Sequence, residues 1–360
     1  MNSLKEKTSQ TAPMIFEQIH NGPCLSYLIG CEETGSAVVI DPEIHKIERY
    51  LALATRHGLN IQYTLDTHTH ADHFSASQEI AEQLNAAVIM HRSSVAPFVD
   101  IRVDDGETII VGKLRLVVMH TPGHTWDSIC LRLEDRLLTG DTLLIGGTGR
   151  TDLPTGDPEE LHDSLFNKIL KLDPALLVYP AHDYRGNHYS TLGHEIANNP
   201  RLQKKERAEF VEQMRALDLD MPRHLTEALR TNRSGGKTVS QLINDASKKV
   251  SFMSMEEVNR RLNSRASGIR LLDVREREAY LAGHIPGALH IARGQLELRV
   301  NSALPDPTER IVVYCDYGKI STLAAATLRD LGYTRAIAMD GGFSAWQEAG
   351  YPQEEGDASG

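Results

Sequence analysis

The chain has 360 residues, enough for two domains, and its hydrophobic content of 41% and charged content of 24% are ordinary for a globular protein. The net charge of −11 argues against nucleic acid as a partner, and no apolar run approaches the roughly 18 residues of a membrane span. The polar N-terminus lacks the apolar core of a secretory signal, and four scattered cysteines suggest no disulfide framework, so we expect a cytoplasmic protein without a membrane partner.

Residues 14 to about 200 alternate short apolar runs with helical stretches. EIHKIERYLALATRHGL and SASQEIAEQL carry apolar residues at helical spacing. The strand-like runs are CLSYLIG, SAVVIDP, YTLDTH, AAVIMHR, LRLVVMHTPGH, DSICLRLED, RLLTGD and ALLVYPAHD. Since side chains at strand ends meet at one edge of a sheet, their polar ends predict a site there. These ends are Asp41, residues 67–73, residues 120–124, Asp141, and His182 with Asp183.

The second half begins after a charged, helical segment at residues 201–230. TNRSGGKT at 231–238 is typical of a linker, and strands and helices then restart in a small α/β unit of roughly 100 residues. We therefore expect a first domain at 14–232, a linker at 233–250 and a second domain at 251–356.

The segment T-H-T-H-A-D-H, at residues 67–73, concentrates metal-ligand side chains. His68 and His70 are two apart, so on an extended strand end they face the same way. With residues from later strand ends, they supply nitrogen and oxygen ligands for one or two transition metals, without a thiolate of the kind found in structural zinc ribbons. The alternative is a polar helix-capping cluster. The candidate ligands are His68, His70, Asp72, His73, His124, Asp141 and His182.

Four motifs give the first half a resemblance to a known family. H-T-H-A-D-H, T-P-G-H-T, G-D-T-L and P-A-H-D occur in that order and resemble the metal-site motifs of the metallo-β-lactamase family. The resemblance covers residues 14 to about 230 and implies an αββα sandwich, so we expect an α/β chain in which this sandwich precedes a smaller α/β domain. The family includes hydrolases and oxygenases, so the fold does not decide the reaction.

One branch that the chain resembles is the persulfide dioxygenases. The resemblance lies in YTLDTHTHADH, G-T-G-R-T-D, P-A-H-D-Y-R-G and N-N-P-R-L. It implies one non-haem Fe(II) per chain, held by His68, His124 and Asp141, with His70, Asp72, His73 and His182 around it. Two histidines and one carboxylate leave three positions open, as non-haem iron oxygenases require. The implied reaction oxidises glutathione persulfide with O2 to sulfite and glutathione.

The alternative branch is glyoxalase II, a binuclear-metal glutathione thioester hydrolase. It is similar in the same ligands and in G-G-T-G-R. That resemblance implies one metal on His68, His70 and His124, a second on Asp72, His73 and His182, and Asp141 as the bridge. The chain lacks room for the longer helical substrate domain that follows the metal domain in this branch.

Three positions near these motifs carry further expectations. Arg150 is the candidate for binding a glutathione carboxylate, with a surface ion pair as the alternative. Tyr184 resembles a tyrosine near the iron of the dioxygenases, with a buried tyrosine bonded to a backbone carbonyl as the alternative. Thr148 stands where many relatives have cysteine. We expect the cysteines of apolar strands, Cys24, Cys31 and Cys130, to be buried and inert.

Cys315 ends the strand IVVY and opens the loop C-D-Y-G-K-I-S before a helix, a setting that favours a thiolate and an anion. With L-L-D-V-R-E, G-H-I-P-G-A and G-G-F-S-A-W, this loop resembles rhodanese sulfurtransferases. The resemblance implies that Cys315 carries a sulfane sulfur as a persulfide. Ser321 replaces the arginine that related phosphatases need, and Ile320 replaces an arginine of many rhodaneses. The loop residues expected to bind substrate are Asp316, Tyr317, Gly318, Lys319, Ile320 and Ser321.

The two halves fit one pathway. Thiosulfate gives sulfur to Cys315, glutathione collects it, and the iron site oxidises the resulting persulfide, so that fusion raises the local concentration of a shared intermediate. A non-enzymatic alternative makes the rhodanese half a docking or sulfur-sensing module. The oligomeric state is left open, with a homo-oligomer as one alternative.

Overall fold

The computed structural model describes residues 13–222, 224–264 and 268–356, and the chain divides after Gly236 into two compact units. The described part of the first unit contains two large sheets. The first sheet joins β1 (Met14–Asn21), β2 (Cys24–Cys31), β3 (Ser36–Ile40), β4 (Asn60–Leu65), β5 (Ala87–His91) and β6 (Ile101–Val103) in that order.

The second sheet has the order β14-β13-β10-β9-β8-β7, and β11 and β12 form a separate hairpin. The strands are β7 (Thr108–Val111), β8 (Leu114–His120), β9 (Ile129–Leu133), β10 (Arg136–Gly140), β11 (Leu143–Leu144), β12 (Gly147–Thr148), β13 (Leu177–Pro180) and β14 (Ser190–Thr191).

Helices cover the outer face of each sheet. The apolar faces of the two sheets pack against each other around residues such as Ile29 and Leu131. Tyr50 and Ile80 of the outer helices pack on the first sheet, and Phe210 packs on the second. This is the predicted αββα sandwich. The helices are α1 (Ile47–Arg56), α2 (Ser77–Leu84), α3 (Pro158–His162), α4 (Leu192–Asn198), α5 (Arg207–Arg215) and α6 (Leu225–Ser234).

Four strands direct polar segments to one edge of the sandwich. β4 in the first sheet ends at Leu65, and β8, β10 and β13 in the second end at His120, Gly140 and Pro180. The segments after these ends hold the candidate ligands. Strands β1, β6, β7, β11, β12 and β14 were not among the predicted ones; the longest of them, β1, pairs along its whole length with β2.

The second unit is an α/β domain with a parallel sheet in the order β15-β19-β18-β16-β17. Its strands are β15 (Ser251–Met253), β16 (Arg270–Asp273), β17 (Leu289–His290), β18 (Ile311–Tyr314) and β19 (Ile337–Met339). Its helices are α7 (Val239–Lys249), α8 (Met255–Leu262), α9 (Arg277–Ala282), α10 (Leu296–Ala303), α11 (Lys319–Asp330) and α12 (Gly342–Glu348). Two apolar clusters flank this sheet, one containing Leu328 and the other Trp346.

The expected linker at 233–250 differs from the structure. Gly235, with φ of 70°, ends α6, and Thr238 then begins α7 with a reciprocal capping box to Gln241. α7 buries Ala246 in the core of the second unit, so most of the expected linker is a structural helix of that unit. Among the described residues, no helix is both long and apolar enough to cross a membrane.

Candidate active sites

Three strand ends bring His68, His124 and Asp141 together. Each offers a ligand atom within 4.8 Å of the other two, and all three residues are buried. His124 Nε2 lies 3.6 Å from Asp141 Oδ2. We call these three residues the triad.

The triad has the chemistry of a metal site. His68 Nδ1 lies 3.0 Å from the Thr67 hydroxyl, and His124 Nδ1 donates to the Arg150 carbonyl at 2.8 Å. The protein thus fixes one nitrogen of each ring, as is usual for metal-binding histidines, and leaves the other available. Buried His68 Nε2 has no hydrogen-bond partner within the described chain. Burial, followed by the neighbouring histidines, holds the pKa of His68 well below its usual value, which favours the neutral form that binds metals.

Gly149 permits the close approach of two triad members. A Cβ at this position would overlap the Asp141 carbonyl and lie 2.9 Å from His124 Nδ1. Gly149, the second glycine of the G-T-G-R motif, is therefore required because any larger side chain would overlap the triad.

His182 connects the triad to the next group of ligands. Its Nδ1 donates to Asp141 Oδ1 at 2.7 Å, and its Nε2 donates to Asp72 Oδ2 at 2.9 Å. Burial opposes a charged ring, but the carboxylates of Asp141 and Asp72 outweigh it and raise the pKa of His182 well above its usual value. His182 thereby orients Asp141 and leaves Asp141 Oδ2 towards His124.

A second group contains Cys24, Asp72, His73 and His182, whose ligand atoms also lie within 4.8 Å of one another. The expectation that Cys24 is buried was wrong, because it is only half-buried, and its thiol donates to Asp72 at 3.5 Å. Cys24 begins β2, where it forms a β-bridge with His182. The position of Cys24 at a strand end was the feature of the sequence that could have predicted its place beside the site. Cys31 and Cys130 are buried in the core as expected.

His70 belongs to a third group with Asp41 and Asp66. Its Nε2 lies 3.1 Å from Asp41 and 3.9 Å from Asp66, and all three residues are buried. Asp41 also accepts hydrogen bonds from the amide and hydroxyl of Thr67, at 2.7 and 2.9 Å. His70 thus supports the segment that carries His68.

Sequence reasoning missed Asn232, which supports the same segment from α6. Its side-chain amide donates to the carbonyls of His70 and His73 at 2.9 and 2.8 Å, and its oxygen accepts from the Ser75 amide at 3.0 Å. An isolated asparagine more than 150 positions away gives no sequence signal for this contact.

A cavity of about 660 Å³ opens beside the triad, a size suited to a small-molecule ligand. Arg150 lines it, but its Nε and Nη2 donate to the two Asp152 oxygens, each at 2.6 Å. This is the ion pair given above as the alternative. Tyr184 also lines the cavity and is 74% exposed, so the buried-tyrosine alternative was wrong. Thr148 lines the wall and is buried.

The second unit presents Cys315 at the end of β18. Its sulfur accepts from the Ser321 amide at 3.3 Å, in the first turn of α11. Gly318, with φ of 82°, makes the turn into this helix. Backbone amides of Phe343 and Ser344 hold the carbonyls of Cys315 and Asp316, at 2.7 and 3.1 Å.

In the loop that follows Cys315, one side chain forms an ion pair and others are exposed to solvent. Asp316 lies 3.3 Å from Arg275, which also forms a buried ion pair with Asp273. Tyr317, Lys319 and Ile320 are exposed, so they are accessible to a substrate.

The sequence matches known families in both units. Residues 21–182 match the Metallo-beta-lactamase superfamily, and residues 254–349 match the Rhodanese-like domain. These matches confirm the predicted fold class of both units.

Similar proteins specify the family further. A mitochondrial persulfide dioxygenase, ETHE1, from Bos taurus is 36% identical over 238 residues, which are 65% of this chain and 93% of that protein. The crystal structure of ETHE1 from Myxococcus xanthus shows 39% identity and a TM-score of 0.60, covering 62% of this chain and 100% of that one. A hydroxyacylglutathione hydrolase from Polaromonas is 37% identical over 195 residues, covering 51% of this chain and 73% of that protein.

The extent of these matches separates the two branches. The dioxygenase is matched over nearly its whole length, whereas over a quarter of the hydrolase has no counterpart here. The prediction of an enzyme with a dioxygenase unit and a sulfurtransferase unit is confirmed. The chain belongs to the persulfide dioxygenase family and carries a C-terminal rhodanese domain.

Proposed function

We propose that the first unit oxidises glutathione persulfide with O2 to sulfite and glutathione, using one Fe(II) held by His68, His124 and Asp141. The observation that carries this proposal is the grouping of these three residues apart from His70, whose Nε2 lies beside Asp41 and Asp66. Two histidines and a carboxylate are the ligand set of non-haem Fe(II) oxygenases. When bound, the iron supplies the oxygen chemistry, and the protein supplies position and orientation.

The residues around the triad have separable tasks. The Arg150 carbonyl and Thr67 orient the two histidines, and His182 orients Asp141. The cavity beside the triad holds the glutathione part of the substrate. Tyr184, at its wall, is placed to contact the bound substrate, and Asp72 and His73 complete the polar surroundings.

We propose that the second unit transfers sulfur between thiosulfate and glutathione. Attack of the Cys315 thiolate on the sulfane sulfur of thiosulfate forms Cys315–S–S⁻ and releases sulfite. A glutathione thiolate then attacks the outer sulfur, which forms glutathione persulfide and restores the Cys315 thiolate. Ser321, whose amide contacts the Cys315 sulfur, and the loop from Asp316 to Ile320 bind the substrate.

Metal analysis combined with oxygen uptake tests the proposed dioxygenase. Protein loaded anaerobically should retain about one iron per chain, consume O2 with glutathione persulfide and release sulfite. Retention of two metals per chain, without O2 uptake, would overturn the proposal.

A second candidate function is the binuclear hydrolysis of a glutathione thioester. The observation that favours it is the group of Cys24, Asp72, His73 and His182 beside the triad, which would hold a second metal. It predicts thioester hydrolysis dependent on two metals, and Asp72→Ala should then lose one metal of the pair while keeping the other.

We place both activities in the cytoplasm. All four cysteines are free thiols in the structure, which suits a reducing compartment.

A further inference from the structure

Arginines on the wall of the cavity differ in their partners. Arg150 is paired with Asp152. Arg185 is exposed, so water solvates its charge. Arg201 is half-buried, and no carboxylate of the described chain lies within ion-pairing distance of it. Arg201 is therefore the cavity arginine that burial leaves without a charged partner.

The guanidinium of Arg201 has little else to bind. Its one side-chain hydrogen bond in the described structure is donated by Nη1 to the Met214 sulfur, at 3.8 Å, and a thioether is a weak acceptor. Burial lowers the pKa of Arg201, and no neighbouring carboxylate offsets the effect. A partly desolvated cation with unused donors gains free energy when an anion binds it.

The position of Arg201 is fixed by buried neighbours. It lies in a 3₁₀ turn, Pro200–Leu202. Asn199 caps this turn, because its side-chain oxygen Oδ1 accepts a hydrogen bond from the Arg201 amide at 3.0 Å. The Asn199 amide group donates to the Gly147 carbonyl at 2.9 Å, which ties this turn to the β11–β12 hairpin on the cavity wall. The backbone that carries Arg201 is thus held in place before any ligand arrives.

The buried carboxylate of this network is already occupied. Glu195 accepts from the Gly146 amide at 2.8 Å and from Asn199 at 2.9 Å through Oε2, and from Ser190 at 2.5 Å through Oε1. Glu195 therefore orders the wall rather than neutralising Arg201.

We propose that Arg201 binds a carboxylate of the thiol that carries the persulfide and makes the cavity selective for carboxylate-bearing persulfides. This inference rests on the proposed function, in which glutathione is the carrier. Glutathione has two carboxylates, one on glycine and one on the γ-glutamyl group, and a guanidinium binds either one in a bidentate manner. Leu153 and Leu219 give the same cavity apolar surface for the rest of the carrier.

The test uses the full-length, iron-loaded protein with Arg201→Met, which keeps an unbranched apolar side chain but removes the charge. Arg201→Lys keeps the charge but not the bidentate geometry. The matched control is Arg215→Met, which removes the same charge from an exposed position on α5 outside the cavity. Calorimetry measures the Kd for glutathione, and oxygen uptake gives kcat and KM for glutathione persulfide and for cysteamine persulfide, which has no carboxylate.

We expect Arg201→Met to raise both the Kd for glutathione and the KM for its persulfide about tenfold or more, because a charge-assisted pair is lost. The kcat and the iron content should stay close to wild type, as for an interaction made equally in ground and transition states. Arg201→Lys should recover part of the affinity, and Arg215→Met should match the wild type. The KM for cysteamine persulfide should not change in any variant.

Glutathione blocked at one carboxylate identifies the group bound. For the wild type, blocking the carboxylate that Arg201 contacts should weaken binding as much as Arg201→Met does, with no further loss in the variant. The inference is overturned if Arg201→Met and the wild type bind glutathione with the same Kd. It is also overturned if Arg201→Met raises the KM for cysteamine persulfide as much as the KM for glutathione persulfide. Arg201-dependent glutathione binding by a protein that consumes no O2 supports the inference while overturning the proposed dioxygenase. Melting temperatures close to wild type show that the variants are folded.

Discussion

Each residue of the triad makes one hydrogen bond that orients its ring or carboxylate. Each also keeps another nitrogen or oxygen atom that a metal could bind. Thr67 orients His68, the Arg150 carbonyl orients His124, and His182 orients Asp141. His70 also has one ring nitrogen bonded, Nε2 to Asp41, and its buried Nδ1 has no hydrogen-bond partner in the described chain. It differs because it groups with Asp41 and Asp66 and not with the triad. In the proposed site the triad supplies three ligands, and His70 supports the segment that carries His68.

This difference predicts two classes of variant. His68→Ala, His124→Ala and Asp141→Ala should each lose bound iron and oxygen uptake, because two ligands hold Fe(II) too weakly to survive dialysis. His70→Ala and His182→Ala should keep most of the iron and react more slowly, because these two histidines only support or orient the ligands. Iron per folded chain is measured after dialysis. If His70→Ala or His182→Ala loses iron as fully as His68→Ala, the mononuclear assignment is wrong.

At the scale of elements, apolar periodicity and polar strand ends predicted most of the sandwich and the meeting of the candidate ligands. They succeeded because strands β4, β8, β10 and β13 each end directly before polar residues. What was missed lies in contacts between distant segments. Asn232 owes its role to neighbours far away in the sequence, and α7 was hidden by the glycines before it.

Asn232 provides a test at this scale. Asn232→Ala removes three hydrogen bonds to the segment around His70 and His73 and leaves buried carbonyls unpaired. We expect the free energy of unfolding of the first unit to fall by about 1–3 kcal/mol, and iron to dissociate faster. Thermal melting and iron release are the measurements.

The matched control is Asn198→Ala, since among the described residues the exposed side chain of Asn198 bonds only to His194 of its own helix. Equal melting temperatures and iron release for the two variants would show that Asn232 does not hold the ligand segment.

At the scale of the whole molecule, the chain joins a unit that oxidises persulfides to a unit whose cysteine carries sulfur. In the proposed pathway this fusion has a kinetic reason, because glutathione persulfide made by the second unit would be present at high local concentration for the first. The two sites have separate residues, so either reaction can be removed while the other is kept. Cys315 is the cysteine at the sulfur-transfer loop, and the triad contains no thiol.

The most direct test of this account is oxygen uptake by Cys315→Ser in two substrate regimes, measured on one folded, iron-loaded preparation. A serine hydroxyl cannot form a persulfide, so the variant should show no O2 uptake with thiosulfate plus glutathione, where the wild type should consume O2. Given glutathione persulfide directly, the variant should consume O2 at the wild-type rate, because its metal ligands are unchanged. Undiminished O2 uptake by Cys315→Ser with thiosulfate plus glutathione would contradict the coupled pathway.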